Sequence, residues 1–176
     1  MKRTAFAIIA ATLLSTPLHA AGISQHYAPT ENLERIDVEL LGQAKETIDI
    51  AAYNLTDWPV IDALHAARSR GVAVRILLDP TQRHNLDRLG DLLDMAKKKR
   101  RGPIMHLKSY AIDGRVLRTG SANFSAGGLK QQNNDLIVID DITAVDRFED
   151  EFERVWETGV PPVNDAGSDT SAAPDP

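Results

Sequence analysis

The sequence predicts a single α/β domain whose mixed, mostly parallel β-sheet is flanked by helices on both faces. Its 176 residues suffice for one domain with a core and are too few for two comfortable ones. Residues 47–78 have the pattern strand, helix, strand, which implies a right-handed crossover between parallel strands. The second of these strands, 72–78, is apolar apart from Arg75, as expected for a strand covered on both sides.

The first twenty residues have the features of a secretory signal. Lys2 and Arg3 precede an apolar run from Ala5 to Leu14, and the small-residue segment STPLHA follows. The run is shorter than the ~20 residues that cross a bilayer, which favours cleavage near Ala20 and export to the periplasm or medium. We therefore expect a signal peptide over 1–20, a domain over 21–159 and a disordered tail over 160–176, which is rich in Pro, Ser, Asp, Gly and Ala.

The helices and strands before residue 79 are predicted from the spacing of apolar residues and from the positions of Pro and Gly. After an irregular lead-in, Thr30 is expected to cap a first helix, whose apolar face contains Leu33, Ile36, Leu40, Leu41 and Ala44. The strand 47–53 alternates, and the loop 54–58 lies at its carboxyl end, where open α/β sheets bind ligands. Pro59 suits the first turn of the next helix, and Gly71 is placed to end it.

Beyond residue 79 the sequence signals for secondary structure differ in strength from one segment to the next. The leucines at 86, 89, 92 and 93 fit a short helix, and KKKRR, from Lys97 to Arg101, fits either an exposed edge strand or a basic loop. A short helix or turn is expected over 125–132 and a strand over 136–139. Thr143 is expected to cap a last helix, whose apolar face contains Val145, Phe148, Phe152, Val155 and Trp156.

One stretch, HLKSYAIDGRVLRTGSANFS from His106 to Ser125, carries the chemistry. In an extended strand His106 and Lys108 share one face, which pairs a nucleophile with a cation. The dipeptide Asp113-Gly114 favours a two-residue hairpin turn. Because Asp113 has the opposite strand parity to His106 and Lys108, its carboxylate is expected to hold the hairpin or a subunit contact rather than touch a phosphate. The returning strand 115–119 would then bring Ser121 and Asn123 close to His106.

The pattern HxKxxxxD followed by GSxN resembles the signature of the phospholipase D superfamily. A single motif in a short secreted chain resembles its small bacterial endonuclease branch, and the segments IDIAAYNLTD, PVIDALHAARSRGVAVRILLD and NNDLIVI extend the likeness over roughly residues 27 to 157. The resemblance implies the following site residues: catalytic His106, Lys108 and Asp113; phosphate-binding Ser121 and Asn123; and, where the family usually has a glutamate that orients the histidine, Asn134 beside Asp135.

A single copy of the motif predicts a homodimer. In-line displacement at phosphorus needs the attacking atom and the proton donor on opposite sides, so two copies of His106 would meet across a two-fold axis. The resemblance implies the same arrangement, with a phosphohistidine intermediate. Because the two histidines must differ in protonation, activity should peak on the mildly acidic to neutral side. We expect no cofactor and no metal, since Lys108 from both subunits, with Ser121 and Asn123, stabilises the charge on the phosphate.

Composition narrows the function without fixing the substrate. The chain has a formal charge of -5, which becomes -7 without residues 1–20, yet a local basic patch can still bind phosphates. It has no cysteine, which excludes disulfides and thiolate chemistry.

We predict a metal-independent, sequence-nonspecific endonuclease acting on DNA or RNA. The alternatives are a phospholipase D acting on membrane phospholipids and a catalytically weak nucleic-acid-binding relative. KKKRR either tracks a nucleic-acid backbone or is a solvated segment.

Overall fold

The strands and helices occupy most of the chain that the computed structural model describes, residues 22–82 and 84–162. Within these residues the strands are β1 (Gly22–Ala28), β2 (Thr47–Ala52), β3 (Ala73–Leu78), β4 (Ala96–Lys98), β5 (Lys108–Ile112), β6 (Val116–Gly120) and β7 (Asn134–Asp140). The helices are α1 (Leu33–Gln43), α2 (Trp58–Ser69), α3 (Leu86–Leu89), α4 (Ala126–Lys130) and α5 (Ile142–Trp156), with a 3-10 segment over Gly90–Met95.

The strands form one sheet of seven in the order β1-β7-β6-β5-β2-β3-β4. The predicted α/β class and mixed sheet are confirmed, but the expectation that the sheet is mostly parallel is wrong. Among the pairings of the described strands, only β2 with β3 and β3 with β4 are parallel. The other four are antiparallel, because the β5–β6 hairpin, its continuation into β7 and the outer strand β1 all reverse direction.

Helices cover both faces of the sheet, as predicted. On one face Leu33 of α1 and Leu64 of α2 pack over Ile50, and on the other Phe152 of α5 packs with Ala51. Ile50 and Ala51 are neighbours on β2 and therefore point to opposite faces. The sheet is thus the middle of three layers, with α1 and α2 on one side and α5 on the other.

Three local predictions are corrected. The lead-in is not irregular, because it forms β1 along the edge of β7. Asn32, rather than Thr30, caps α1, since its side chain accepts from the Arg35 N–H, while the Thr30 hydroxyl donates to the carbonyl of residue 27. Asp141, rather than Thr143, caps α5 through the Ala144 N–H. Both cap corrections replace one short polar side chain by another two residues away.

The basic segment begins as an edge strand, which is one of its two predicted forms. Lys98 pairs with Val160 in an isolated antiparallel bridge, so backbone pairing reaches the first residue of the expected tail. Residues 1–21 and 163–176 lie outside the described residues, and so do the expected signal peptide and most of the tail. Within the described part of the chain, no helix is both long and apolar enough to cross a membrane.

Candidate active site

The motif residues gather at one end of the sheet. Ala52, the last residue of β2, pairs with Lys108, the first residue of β5. Extending the β5–β6 register by two residues sets Lys108 beside Gly120, the last residue of β6. Adjacent strands are roughly 4.8 Å apart, so the GSAN turn that follows Gly120 begins next to Lys108. The predicted proximity of the two halves of the motif is therefore present.

His106 and Lys108 are in direct contact. The Lys108 Nζ lies 2.9 Å from His106 Nδ1 and donates to the His106 carbonyl at 2.7 Å. Tyr53 packs against both, with its ring centroid 4.3 Å from the imidazole and 4.6 Å from Nζ. Since Nδ1 faces Lys108, Nε2 is the ring nitrogen left to face a substrate. Tyr53 is a site residue that the motif does not contain.

Lys108 is only 5% exposed although it carries the ammonium group of the site. Burial lowers the pKa of Lys108 to about 8 because removal from water disfavours the charged form. A lysine with a lowered pKa, beside an exposed histidine, is the kind of titratable pair that marks functional sites.

Ser121 is held by the residues that were expected to orient His106. Its hydroxyl donates to Asn134 Oδ1 at 3.1 Å and accepts from the Asp135 N–H at 2.9 Å, while its own N–H donates to Asp135 Oδ1 at 3.0 Å. In the described residues neither Asn134 nor Asp135 has a hydrogen bond to His106. The expected orienting role is therefore corrected: these side chains fix the serine, because the start of β7 runs directly under the turn.

Close backbone approaches shape that turn. Gly120 has φ +135°, and a Cβ there would meet the Asp135 carbonyl oxygen at 2.5 Å, so only glycine fits. Asn123 follows, partly buried, and its Oδ1 is buried with no hydrogen-bond partner among the residues described. An unsatisfied buried acceptor is uncommon in folded proteins.

Asp113 does not join the site, which corrects its assignment as catalytic. It lies beyond the far end of β5, in the predicted hairpin turn, where Asp113 and Gly114 have φ of 53° and 60°. Its carboxylate accepts from three successive N–H groups, those of residues 45, 46 and 47, at 2.8 to 3.2 Å. Asp113 therefore anchors the start of β2 and acts on the fold.

A buried ion pair connects the two halves of the site. Arg118 and Asp37 are both fully buried, and the guanidinium donates to the carboxylate at 2.8 and 3.0 Å. Arg118 Nη1 also donates to the carbonyls of Lys108, at 2.7 Å, and Ala122, at 3.3 Å. The Tyr110 hydroxyl completes the group by donating to Asp37. Burial acts to raise the pKa of Asp37, against the opposing effect of Arg118.

Asp79 supports the segment that precedes His106. Its Oδ2 accepts from the Met105 N–H at 2.8 Å, and its Oδ1 accepts from Thr81. His84 links the same loop to the loop after β2, because it contacts the Asp79 carbonyl and the Leu55 N–H. The position of Asp79 at the carboxyl end of a buried strand is the sequence signal that could have identified it.

A basic cavity of about 580 Å³ opens beside His106. Its cationic lining comes from Lys99, Arg100 and Arg101 of the basic segment and from Arg154 of α5. Lys97 instead contacts the end of α5, since its Nζ donates to the Trp156 carbonyl at 3.0 Å. A larger cavity, about 870 Å³, lies at the opposite end of the sheet, and Asp113 is the only motif residue that lines it.

Comparisons with known proteins agree with this architecture. A family model described as cardiolipin synthase, PLD-like domain, matches residues 38–156. The mitochondrial cardiolipin hydrolase of Chlamydomonas reinhardtii is 27% identical over 124 residues, covering 68% of this chain and 56% of that protein. The phospholipase D of Rickettsia bellii is 30% identical over 136 residues, covering 74% of this chain and 67% of that protein.

Solved structures share the fold. The phospholipase D family member Nuc from Salmonella typhimurium superposes with a TM-score of 0.75 at 23% identity, over 82% of this chain and 100% of that one. The chain spans little more than half the length of the cardiolipin hydrolase. In the described residues, no group of three or more His, Cys, Asp or Glu side chains could hold a metal ion. The family model, the relatives and the fold together show that this chain belongs to the phospholipase D superfamily of PLD-like domains.

Proposed function

We propose that this chain is a metal-independent phosphodiesterase, most specifically a sequence-nonspecific endonuclease of the exported, single-motif branch of its superfamily. The observation that carries the proposal is the cavity beside His106, where the cations of the basic segment outnumber the one carboxylate among the described lining residues, Glu151, which pairs with Arg154. A polyanion that enters this cavity is held by several charges while one of its phosphates reaches the histidine. The hydrolase names of the relatives and the likeness to Nuc support the same reaction class.

The first step forms a bond between phosphorus and nitrogen. Nε2 of one His106 attacks, the bond to the leaving oxygen breaks, and that oxygen takes a proton from His106 of the second subunit. Attack through Nε2 requires the ring proton on Nδ1, so the Lys108 ammonium must turn from Nδ1 to the phosphate oxygens as substrate binds. The Asn123 amide provides a further donor to these oxygens, and the Ser121 hydroxyl does so when its proton turns from Asn134 Oδ1 to the phosphate.

The second step returns both histidines to their starting forms. Water attacks the phosphohistidine, the phosphorus–nitrogen bond breaks, and the water proton passes to the second His106. The exposure of His106 permits this pairing of two copies across a cleft. A homodimer thus supplies the acid that one chain lacks.

A phospholipase D acting on membrane phospholipids is the second candidate. Ile104 is 60% exposed and lines the basic cavity with Met105 and Leu107, so an acyl group has apolar surface to contact there. The relatives named phospholipase D and cardiolipin hydrolase also favour it. The density of cations in the cavity favours the nucleic acid, because a phospholipid presents far fewer phosphates.

Side-by-side hydrolysis assays in excess chelator test the proposal. Plasmid DNA, RNA and phosphatidylcholine vesicles are incubated with the protein and with its His106→Asn variant. We expect nicking and degradation of nucleic acid that His106→Asn abolishes. His65→Asn is the matched control, since His65 contacts the Arg88 carbonyl and Asp91 away from the site, and it should retain full activity. Hydrolysis of the vesicles with intact plasmid and RNA would refute the nuclease assignment in favour of the lipid one.

Export and assembly complete the proposal. We propose cleavage near Ala20, a domain from residue 21 to about 160, and a homodimer in the periplasm or medium. Mass spectrometry of the exported protein should give a chain that begins at Ala21, and light scattering should give twice its mass. A fully active monomer would contradict the two-histidine mechanism.

A further inference from the structure

A second cavity, of about 370 Å³, lies on the other side of the candidate site and has different chemistry. It is lined mainly by Tyr27, Thr30, Ser121, Asn133, Asn134 and Asp135. Among the described residues that line it there is no Lys or Arg, in contrast with the cavity beside His106. A half-exposed aromatic ring, amide groups, hydroxyls and one carboxylate suit a neutral, planar, polar group better than a phosphate.

Tyr27 presents an aromatic ring to this cavity from a backbone held by hydrogen bonds. Its side chain is 51% exposed at the end of β1. Its N–H donates to Glu31 Oε1 at 3.0 Å, and its carbonyl accepts from the Glu31 N–H and the Thr30 hydroxyl, both at 2.8 Å. Because the main chain of Tyr27 is held on both sides, stacking a base on its ring would require little ordering of the backbone.

The two cavities flank one phosphate position. Ser121 lines the smaller cavity and belongs to the GSAN turn beside Lys108, while His106 lines the basic cavity. A strand whose scissile phosphate lies at Lys108 therefore extends into a cationic cavity in one direction and into an aromatic, amide-lined cavity in the other. That alternation of anionic and planar groups is the repeat of a nucleic-acid strand.

We propose that the smaller cavity is a nucleobase subsite, in which an unpaired base adjacent to the scissile phosphate stacks on Tyr27. The inference rests on the proposed nuclease function and deepens it. The Asn133 amide offers both a donor and an acceptor, so each of the bases can find a partner there, which agrees with a lack of sequence preference. The carboxylate of Asp135 disfavours a phosphate at the same place. Stacking needs an unpaired base, so the subsite predicts a preference for single strands.

Binding measurements on a variant without turnover test the subsite. In the His106→Asn background, fluorescence anisotropy is measured with a short single-stranded DNA and with copies in which one base at a time is replaced by an abasic residue. Tyr27→Ala should weaken binding of the intact DNA by about 5- to 150-fold, which is the range for one stacked base. One abasic position should weaken binding by a similar factor. Combined with Tyr27→Ala, that position should cause no further loss.

Matched controls separate the base contact from other roles of Tyr27. Ile23→Ala removes another exposed side chain of β1, 71% exposed and outside the cavity, and should change binding less than twofold. If the loss from Tyr27→Ala and the loss from each abasic position multiply when the two changes are combined, no base stacks on Tyr27. That result would refute the subsite and leave the nuclease function standing. Dissociation of the dimer by Tyr27→Ala would also overturn it, by making Tyr27 a subunit contact. Failure of the His106→Asn protein to bind any oligonucleotide would overturn the nuclease function, and the subsite with it.

Discussion

Replacement of the buried Arg118 should cost the domain a large part of its stability. In Arg118→Met the Asp37 carboxylate remains fully buried and keeps only the Tyr110 hydroxyl as a partner among its described contacts. Removal of one partner from a buried ion pair typically costs about 3 to 5 kcal/mol. Domains of this size have roughly 5 to 15 kcal/mol in total. Arg118→Met should therefore lower the urea midpoint markedly, as measured by far-UV circular dichroism.

A second variant separates the effect on folding from the effect on the site. The triple change Arg118→Met, Asp37→Leu and Tyr110→Phe removes the buried charge and the hydroxyl that would lose its acceptor. It should regain about 1 to 3 kcal/mol over Arg118→Met, because apolar groups tolerate this environment. The carbonyls of Lys108 and Ala122 still lose their shared donor, so phosphodiesterase activity should remain at least tenfold below the wild-type value. Wild-type activity in the triple variant would refute the idea that Arg118 aligns the site.

Three further predictions concern single carboxylates and one lysine. Since burial lowers the pKa of Lys108 to about 8, kcat/KM should fall as pH rises through 8, and the fall should be absent in Lys108→Arg, whatever its absolute rate. Burial and then Asp49 raise the pKa of Glu149 to about 8, so the folded state retains a proton that the unfolded state releases above pH 4.5. Stability should decline by about 1 to 2 kcal/mol from pH 5 to pH 9 in urea titrations, and Glu149→Gln should flatten that decline. Asp113→Ala should lower the free energy of unfolding by about 1 to 3 kcal/mol without weakening phosphate binding, and a tenfold loss of phosphate affinity would contradict its structural assignment.

The sequence predicted the elements whose signals are local. Pro59, Gly71 and the apolar run over 72–78 identify the crossover from β2 to β3, and Asp113-Gly114 identifies the hairpin that carries the motif. The prediction from sequence failed where pairing with another strand, rather than a local signal, determines the structure. β1 has no strong strand pattern of its own, because Gly22–Ala28 is mostly exposed and is ordered by its pairing with β7.

The site was predicted only as far as the motif extends. His106, Lys108 and the GSAN turn share one end of the sheet, as spacing required. Tyr53, Asp37 and Asp79 were missed as supporting residues, because each reaches the motif from another element through tertiary contact. Tertiary contact also explains the correction for Asn134. Its place in the motif suggested a hydrogen bond to His106, but because β7 passes close to Gly120, its side chain accepts a hydrogen bond from Ser121 instead.

If the proposed function is right, the net charge of the chain understates how tightly it should bind a polyanion. In the part of the chain that the structure describes, four carboxylates are buried, those of Asp37, Asp49, Asp57 and Asp79, and each accepts internal hydrogen bonds. Arginines, helix N–H groups and loop amides offset the negative charge of these carboxylates, so they contribute little to the electrostatic potential at the surface. The cations of the basic cavity remain beside His106. The slope of binding against salt should therefore report these cations and not the total of -5. Neutralising Lys99, Arg100 and Arg101 should shrink that slope, whereas neutralising the exposed Glu39 of α1 should leave it unchanged.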